Sequence, residues 1–515
     1  MKTSVKHPTG LYVLFATEMW ERFNYYGLRA ILVLFMAKAL YFDKILSSNL
    51  YGSYTSLIYL SPLLGGYIAD KYWGNKKSII LGGLVMAFGQ FILFFAASLY
   101  KPHFGVDSVL LNTVALDKIN FQLILFFCGL GCMIAGNGFF KANISSLVGQ
   151  LYADNDSRKN AAYTYFYMGI NLGGAFGPYI CGLLGDTGNP ADFKWGFLVG
   201  GIGMLFSVVV QLLFHNKYVK NPAGKILGTT PIHTSKKMLN PVFIFLLLLG
   251  LIIISIVLLM IDTLVVNYLF YLLITCFGLI ALVVFSDKSL TLVEKKKVVV
   301  IFIVSFFVIF FWGAFEQAGA SLTFFANEQT NRNISLFNKN FLIPTSWFQS
   351  INSTFVIILA SVFAWVWEKL GDKGPNAYIK LSLGLFLLSL SYLWIAFGVN
   401  GISPTTKVSI IWLVGMYFLQ TCGELFLSPI GMSLVNSLSP IKYASLLMAV
   451  WFTSNASANK LAGVLSALYP DKQPTHLLGF TIHNLHEFFI VFVIMSGIAS
   501  LILLLISKKL VKLAK

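Results

Sequence analysis

Glu18-Met19-Trp20-Glu21-Arg22-Phe23-Asn24-Tyr25-Tyr26-Gly27-Leu28-Arg29 lies within residues 11–36, a run that is otherwise nearly all apolar. With about 100° of rotation per helical residue, Glu18, Glu21, Arg22, Tyr25 and Arg29 fall on one narrow stripe. A charge near a bilayer centre costs roughly 2.5–3.5 kcal/mol even on the lenient insertion scale. Four cost about 10–14 kcal/mol, while each Leu, Ile, Phe or Val returns only about 0.3–0.6 kcal/mol. A helix that merely crossed a membrane would not carry such a stripe. It must face a protein partner or water, and ionisable groups at membrane depth mark a functional site.

The composition places that helix in a polytopic membrane protein. The 515 residues are 57% hydrophobic and 11% charged, against about 25% charged in a soluble domain. The formal net charge of +17 is spread over short loops beside apolar segments. There is no basic domain and no interleaved aromatic platform, so nucleic acid is not an expected partner. Lysines in such loops fit positive-inside topology and anionic lipid headgroups instead. Cys128, Cys132, Cys181, Cys276 and Cys422 all sit in apolar runs. They read as small packing residues, without metal-site spacing or partners. Met1 to Gly10 is short and polar, and the segment after it is too long and too charged for a signal h-region, so no cleaved signal is expected.

Apolar stretches long enough to span a bilayer occur near 11–38, 50–70, 78–99, 121–148, 161–185, 195–215, 241–261, 264–286, 299–325, 347–370, 378–398, 409–435, 443–467 and 486–507. With the N-terminus inside, alternate loops carry the lysines, from Lys71, Lys76 and Lys77 to Lys508, Lys509 and Lys512. The opposite loops are balanced or sparse, so both termini are expected to be cytoplasmic. The roughly fourteen helices divide six, two and six: an N-terminal bundle over 1–220, a linker and extra helix pair over 221–298, and a C-terminal bundle over 299–515. The central pair is nearly pure Leu, Ile and Val, with Asp262 at its turn, and is expected at the periphery. The expected fold class is therefore all-α, with the two sixes as parallel halves of a major-facilitator architecture whose site lies at the midplane. Gly66-Tyr67-Ile68-Ala69-Asp70 followed by Gly74 and Lys76-Lys77 looks like that superfamily's loop motif after the second helix.

Other polar residues fall inside the spans. Lys141 has Asn137 and Ser145 one turn to either side. Tyr163, Tyr167 and Asn171 form a ladder at i, i+4, i+8, followed by Gly173, Gly174 and Gly177-Pro178, which permit close backbone approach. Trp312 and Glu316 share a face, as do Glu424 and Ser428, and Trp451 is a further aromatic at depth. These groups could line one polar cavity with two cations and several carboxylates. Glu328, Glu368 and Asp372 lie at helix ends and are expected to be solvated, and Lys460 is ambiguous. All seven histidines fall in loops or at ends, so proton handling is expected to use carboxylates. An intramembrane hydrolase would need a nucleophile–base pair or metal ligands; no metal or cofactor is expected, and the chain does not read as an enzyme.

Glu18-Met19-Trp20-Glu21-Arg22-Phe23 with Tyr25-Tyr26-Gly27 and Arg29 resembles the ExxERFxYYGxR signature of the proton-dependent oligopeptide transporters. Phe166-Tyr167-Met168-Gly169-Ile170-Asn171-Leu172-Gly173 is similar to their FYxxINxG signature. Phe311-Trp312-Gly313-Ala314-Phe315-Glu316-Gln317 and Gly423-Glu424-Leu425-Phe426-Leu427-Ser428-Pro429 resemble their motifs in the seventh and tenth helices. The resemblance covers essentially the whole chain, and the bacterial members' extra helix pair matches the central insertion. It implies a proton-coupled importer of di- and tripeptides in a bacterial-type inner membrane, working by alternating access as a monomer. Arg29 and Lys141 are implied to attract the peptide carboxylate and Glu424 the amine. Tyr26, Tyr59, Tyr167, Asn171, Asn352 and Ser428 add contacts, and Trp312 and Trp451 shape side-chain pockets. Glu18, Glu21 and Glu316 are implied in proton coupling, with Arg22 and Lys141 as ion-pair partners. The alternative within transporters is a relative carrying another small anionic or drug-like solute. The chain departs from the family pattern at Ala142, at Asn352-Ser353 and Ala360-Ser361, which lack expected prolines, and at Lys460, where a neutral residue is usual.

Overall fold

In hydrocarbon no water satisfies a backbone N–H or C=O, so a spanning segment must close its hydrogen bonds within itself, as a helix does. The computed structural model describes residues 6–102, 120–153, 156, 158–231, 240–264, 268–336, 339–403, 406–471, 474–477 and 479–514. Over these it contains fifteen α-helices: α1 (Thr9–Lys38), α2 (Lys44–Ile68), α3 (Asn75–Ser98), α4 (Phe121–Gln150), α5 (Arg158–Gly185), α6 (Phe193–Tyr218), α7 (Pro241–Leu264), α8 (Tyr268–Ser286), α9 (Leu292–Phe315), α10 (Ser321–Glu328), α11 (Phe348–Leu370), α12 (Ala377–Gly398), α13 (Ile410–Leu438), α14 (Ala444–Ser466) and α15 (Leu485–Ala514). Among the described residues, 10 segments are long and apolar enough to cross a membrane. Helices α1, α2, α5 and α14 are also long, but charged, Ser, Asn and Tyr side chains lower their hydropathy. With α10 continuing α9, each of the fourteen expected spans has its helix. The strands are short connections: β1 (Thr330–Asn331) pairs in parallel with β4 (Val408–Ser409), while β2 (Asn333–Leu336) with β3 (Lys339–Leu342) and β5 (Thr475–Leu477) with β6 (Phe480–Ile482) are antiparallel.

The helices form two compact units. Of the described residues, those up to Tyr41, from Leu57 to Pro102 and from Asn120 to Ile261 form the first; those from Phe42 to Ser56 and from Asp262 onward form the second. Helix α2 thus contributes its first half to the second unit and its second half to the first. In the first unit α1 packs on α5 and α6, and α3 packs on α4 and α6. In the second, α12 packs on α13 and α15, and α14 packs on α9 and α8. The extra pair α7 and α8 exposes Phe245, Leu246, Ile253, Tyr271 and Leu282, as an apolar peripheral pair should in lipid. Ile244 of α7 nevertheless joins Trp73 and Phe139 in a buried cluster.

Three expectations need correction. The span at 299–325 is not one helix: α9 stops at Phe315, a 3₁₀ turn runs Glu316–Gly319, and α10 restarts at Ser321. Gln317 satisfies the groups this break releases, because its Nε2 donates to Gly313 O and Ala462 O while its Oε1 accepts from Ser321 and Ser466. Asp262, expected at the turn of the central pair, lies instead within the last turn of α7, buried and paired with Lys460 of α14. Glu328 is ion-paired rather than simply solvated, receiving Lys44 Nζ at 2.8 Å; Lys44 lies 3.2 Å from Asp471 as well. Glu368 is exposed as expected, and the side chain of Asp372 lies outside the described residues. Helices α4 and α11 run unbroken through Ala142, Asn352-Ser353 and Ala360-Ser361, consistent with the absence of prolines there.

The motif after the second helix is a π-helical turn, Ala69–Trp73, closed by Gly74 at φ 77°. A side chain there would be strained by its backbone conformation and would meet Thr229 O and Gly228 O. The chain after α6 fastens onto this turn: Lys76 N donates to Gly228 O, Thr230 Oγ1 to Trp73 O, and His215 at the end of α6 bonds Gln211 and Leu227 O. In the loop joining α8 to α9, Asp287 accepts from Lys442 Nζ at 2.6 Å and Tyr443 Oη at 2.7 Å. These bonds hold its carboxyl well below the usual carboxylate range. Gly74→Val is expected to cost about 1–3 kcal/mol of strain, read as a lower midpoint of thermal unfolding in detergent. An unchanged midpoint would show that the turn relaxes freely.

Candidate functional site

The first unit gathers the charges of α1. Glu18, Glu21, Arg22 and Arg29 are 3%, 0%, 4% and 7% exposed, so the stripe faces protein. Arg22 Nε lies 2.8 Å from Glu18 Oε1 and 2.8 Å from Glu21 Oε2. One guanidinium, planar and always charged, thereby serves two carboxylates. Asn137 Nδ2 of α4 donates to Glu21 Oε1 at 3.2 Å. One turn further along α4, Lys141 Nζ sits 3.8 Å from the centroid of the Tyr59 ring, in cation–π contact. Arg29 lies over Tyr26 at 5.7 Å, and Arg22 over Tyr25 at 5.6 Å.

Close packing of α5 on α1 sets this geometry. A Cβ on Gly173 would stand 2.7 Å from the Arg22 Cβ, so glycine lets the α5 backbone press against the helix that bears Arg22. Asn171 is buried, and its Nδ2 turns back to Tyr167 O at 2.9 Å. Tyr163, the first rung of the expected ladder, is 42% exposed. It lines a separate cavity of about 610 Å³ with Lys159, Gln150 and Asn221. Glu18 Oε2 and Asn137 Oδ1 find no hydrogen-bond partner among the described residues.

The second unit holds the remaining candidates. Glu424 of α13 is 8% exposed, and its Oε2 accepts from Asn352 Nδ2 of α11 at 2.9 Å. The same amide donates to Thr421 Oγ1 at 3.0 Å, so one asparagine bridges two groups a helical turn apart on α13. Glu316 is buried at the break between α9 and α10. Trp312, one turn before it, packs edge-on to Phe311 and Phe315, and its buried Nε1 has no hydrogen-bond partner among the described residues. Trp451 of α14 is buried, with its ring against Gly431 of α13. The side chain of Ser428 lies outside the described residues. Gln317 and Thr421 were missed from the sequence, because a mid-helix amide or hydroxyl in an apolar run carries no local sign of its partner.

Two helical units that bury ionised and amide side chains within spanning segments belong to the class of polytopic membrane transporters. The POT family model matches residues 76–479. The uncharacterized transporter YclF of Bacillus subtilis (strain 168) is 33% identical over 481 residues, covering 91% of this chain and 89% of its own. A di-/tripeptide transporter of Lactococcus lactis subsp. cremoris is 30% identical over 529 residues, covering 99% and 97%. The crystal structure of a POT family transporter in complex with 5-aminolevulinic acid superposes with a TM-score of 0.80 at 30% identity, covering 99% of this chain and 98% of that one. This chain belongs to the POT family: it is a multi-pass membrane transporter and not an enzyme.

Removing one partner of a buried ion pair leaves an uncompensated charge, at about 3–5 kcal/mol. Arg22→Met should therefore lower the unfolding midpoint in detergent sharply, and adding Glu18→Gln and Glu21→Gln should recover much of the loss. If the triple variant unfolds no later than Arg22→Met alone, the carboxylates are not what Arg22 compensates.

Proposed function

We propose that the protein is a proton-coupled symporter that imports di- and tripeptides by alternating access through a bacterial-type inner membrane, with both termini cytoplasmic. The observation that carries this reading is the burial of Glu18, Glu21, Arg22 and Arg29 on one face of α1. In this reading Arg29 and Lys141 receive the peptide carboxylate, and Glu424, which accepts from the Asn352 amide, receives the peptide amine. Tyr26, Tyr59, Tyr167, Asn171, Asn352 and Ser428 supply directional bonds, while Trp312 and Trp451 shape the side-chain pockets. The chemistry supports this division, because a zwitterionic peptide needs a cation for one end and an acid for the other. The name of the Lactococcus relative, a di-/tripeptide transporter, supports the same substrate class.

Glu18, Glu21 and Glu316 carry the proton. Glu21 sits between Arg22, which favours its ionised form, and a buried setting that favours the neutral one. A carboxyl so balanced changes protonation when Arg22 or Lys141 shifts by a small distance. The ion pairs then break and re-form as the units alternate. The available drive is about 2.3 kcal/mol per charge at 100 mV plus about 1.4 kcal/mol per pH unit.

Glu424→Gln should weaken dipeptide uptake by about tenfold or more, the scale of a lost charge-assisted hydrogen bond. Competition of labelled dipeptide uptake by longer peptides, free amino acids and nitrate distinguishes a peptide carrier from a carrier of another small anionic or drug-like solute. Glu21→Gln should abolish accumulation against a gradient while peptide counterflow stays measurable. Equal uptake by wild-type proteoliposomes with and without a proton gradient would refute the coupling.

A further inference from the structure

Lys460 is the buried cation that the proposed transport cycle does not use. It is 0% exposed, in the last third of α14. Nine residues separate it from Trp451, which places the two side chains on opposite sides of the helix. Lys460 therefore does not belong to the same face as the candidate pocket residue. Its ammonium donates to Asp262 Oδ2 and, at 3.1 Å, to Ser53 Oγ. Ser53 Oγ donates to the same carboxylate oxygen, and Leu269 N donates to Asp262 Oδ1 at 2.9 Å. Asp262 is 2% exposed and Ser53 0%.

Three segments of the second unit converge on this triad: the first half of α2, the last third of α14, and the end of α7 at Asp262 with Leu269 of α8. The backbones reinforce the contact. Gly52, beside Ser53, lies against Gly463, one turn beyond Lys460, and a Cβ on Gly52 would stand 2.6 Å from the Gly463 Cα. Apolar side chains would fill such a junction at no cost in desolvation, so a buried ion pair is a poor choice for stability alone. What it supplies is register. Neither charge can be left in a low-dielectric interior without the other, so α14 cannot slide past the end of α7 without a large penalty, and α2 is tied to both by the Ser53 hydroxyl and the Gly52–Gly463 approach.

We propose that Lys460 and Asp262 are positioning residues for transport. Their buried pair locks the first half of α2, the end of α7 at Asp262 and the start of α8 at Leu269 to α14, so that these segments move as one body and the rate of conformational exchange depends on the pair. This rests on the transport reading above. The hairpin is then a working part of the transporter, and the pair governs turnover while leaving peptide affinity alone.

The test compares wild type with Asp262→Asn, Lys460→Met, the double D262N/K460M and the charge-conserving Asp262→Glu. Each is purified in detergent for its unfolding midpoint and reconstituted for dipeptide KM, maximal uptake rate and counterflow, normalised to folded protein. The single neutralising variants are expected to unfold earlier and to lose about tenfold or more in rate, in uptake and counterflow alike. Their KM stays within about twofold of wild type. The double variant buries no lone charge and regains the midpoint, yet stays slow. Asp262→Glu keeps most of the rate. A double variant at wild-type rate would reduce the pair to charge compensation and overturn the proposal. So would a raised KM at normal maximal rate, or equal rates for Asp262→Glu and Asp262→Asn should the double variant fail to fold. Absence of dipeptide uptake by the wild type would instead strike the transport reading itself.

Discussion

A charge without a partner inside lipid costs more than any single apolar contact returns, and Arg22 meets that constraint by lying 2.8 Å from a carboxylate oxygen of both Glu18 and Glu21. Much of the first unit follows from keeping that arrangement intact. Glycine at 173 brings α5 against the α1 backbone at Arg22. Asn137 reaches across from α4 to Glu21, and Lys141 rests on the Tyr59 ring one turn away. One guanidinium thus compensates two acids on the same face of α1. Stability and the proposed coupling chemistry thus draw on the same side chains.

The second unit solves its polar problem differently. Glu424 is held by the Asn352 amide, and that amide also bonds Thr421. The break between α9 and α10 is likewise served by neutral groups. Gln317 reaches both its own helix and α14, and Tyr392 Oη donates to Ala314 O. Glu316 sits at that break, where irregular backbone is tolerated because protein side chains replace the lost ladder.

Asp262 and Lys460 change the standing of the central hairpin. Its outward faces are apolar and exposed, as composition indicates, but the end of α7 is held by a charged bond inside the protein. The same junction brings Ser53 of α2 into the cluster. Helix α2 is divided between the two compact units, which makes the anchorage of its first half a mechanical question as much as a packing one.

The helical spans, the α1 stripe and the motifs that mark the POT family were legible in the residues themselves. Long apolar runs must become helices in lipid, and a charge within such a run is so costly that its presence already implies a partner. Which partner was not legible. Lys460 lies 198 residues from Asp262, and Asn137 lies 116 from Glu21; no periodicity carries that information. The interruption at Glu316 was hidden because the flanking Gly313 and Gly319 are common within unbroken membrane helices as well, and its compensation comes from Gln317 bonding to α14. Glu328 read as a solvated helix end until Lys44, distant in the chain, was found beside it. Local composition determined where the chain enters the membrane and which side chains are too expensive to be idle. Only the folded arrangement decided what each of them pairs with, because pairing depends on distances between helices that hydrophobic patterning along one helix does not encode.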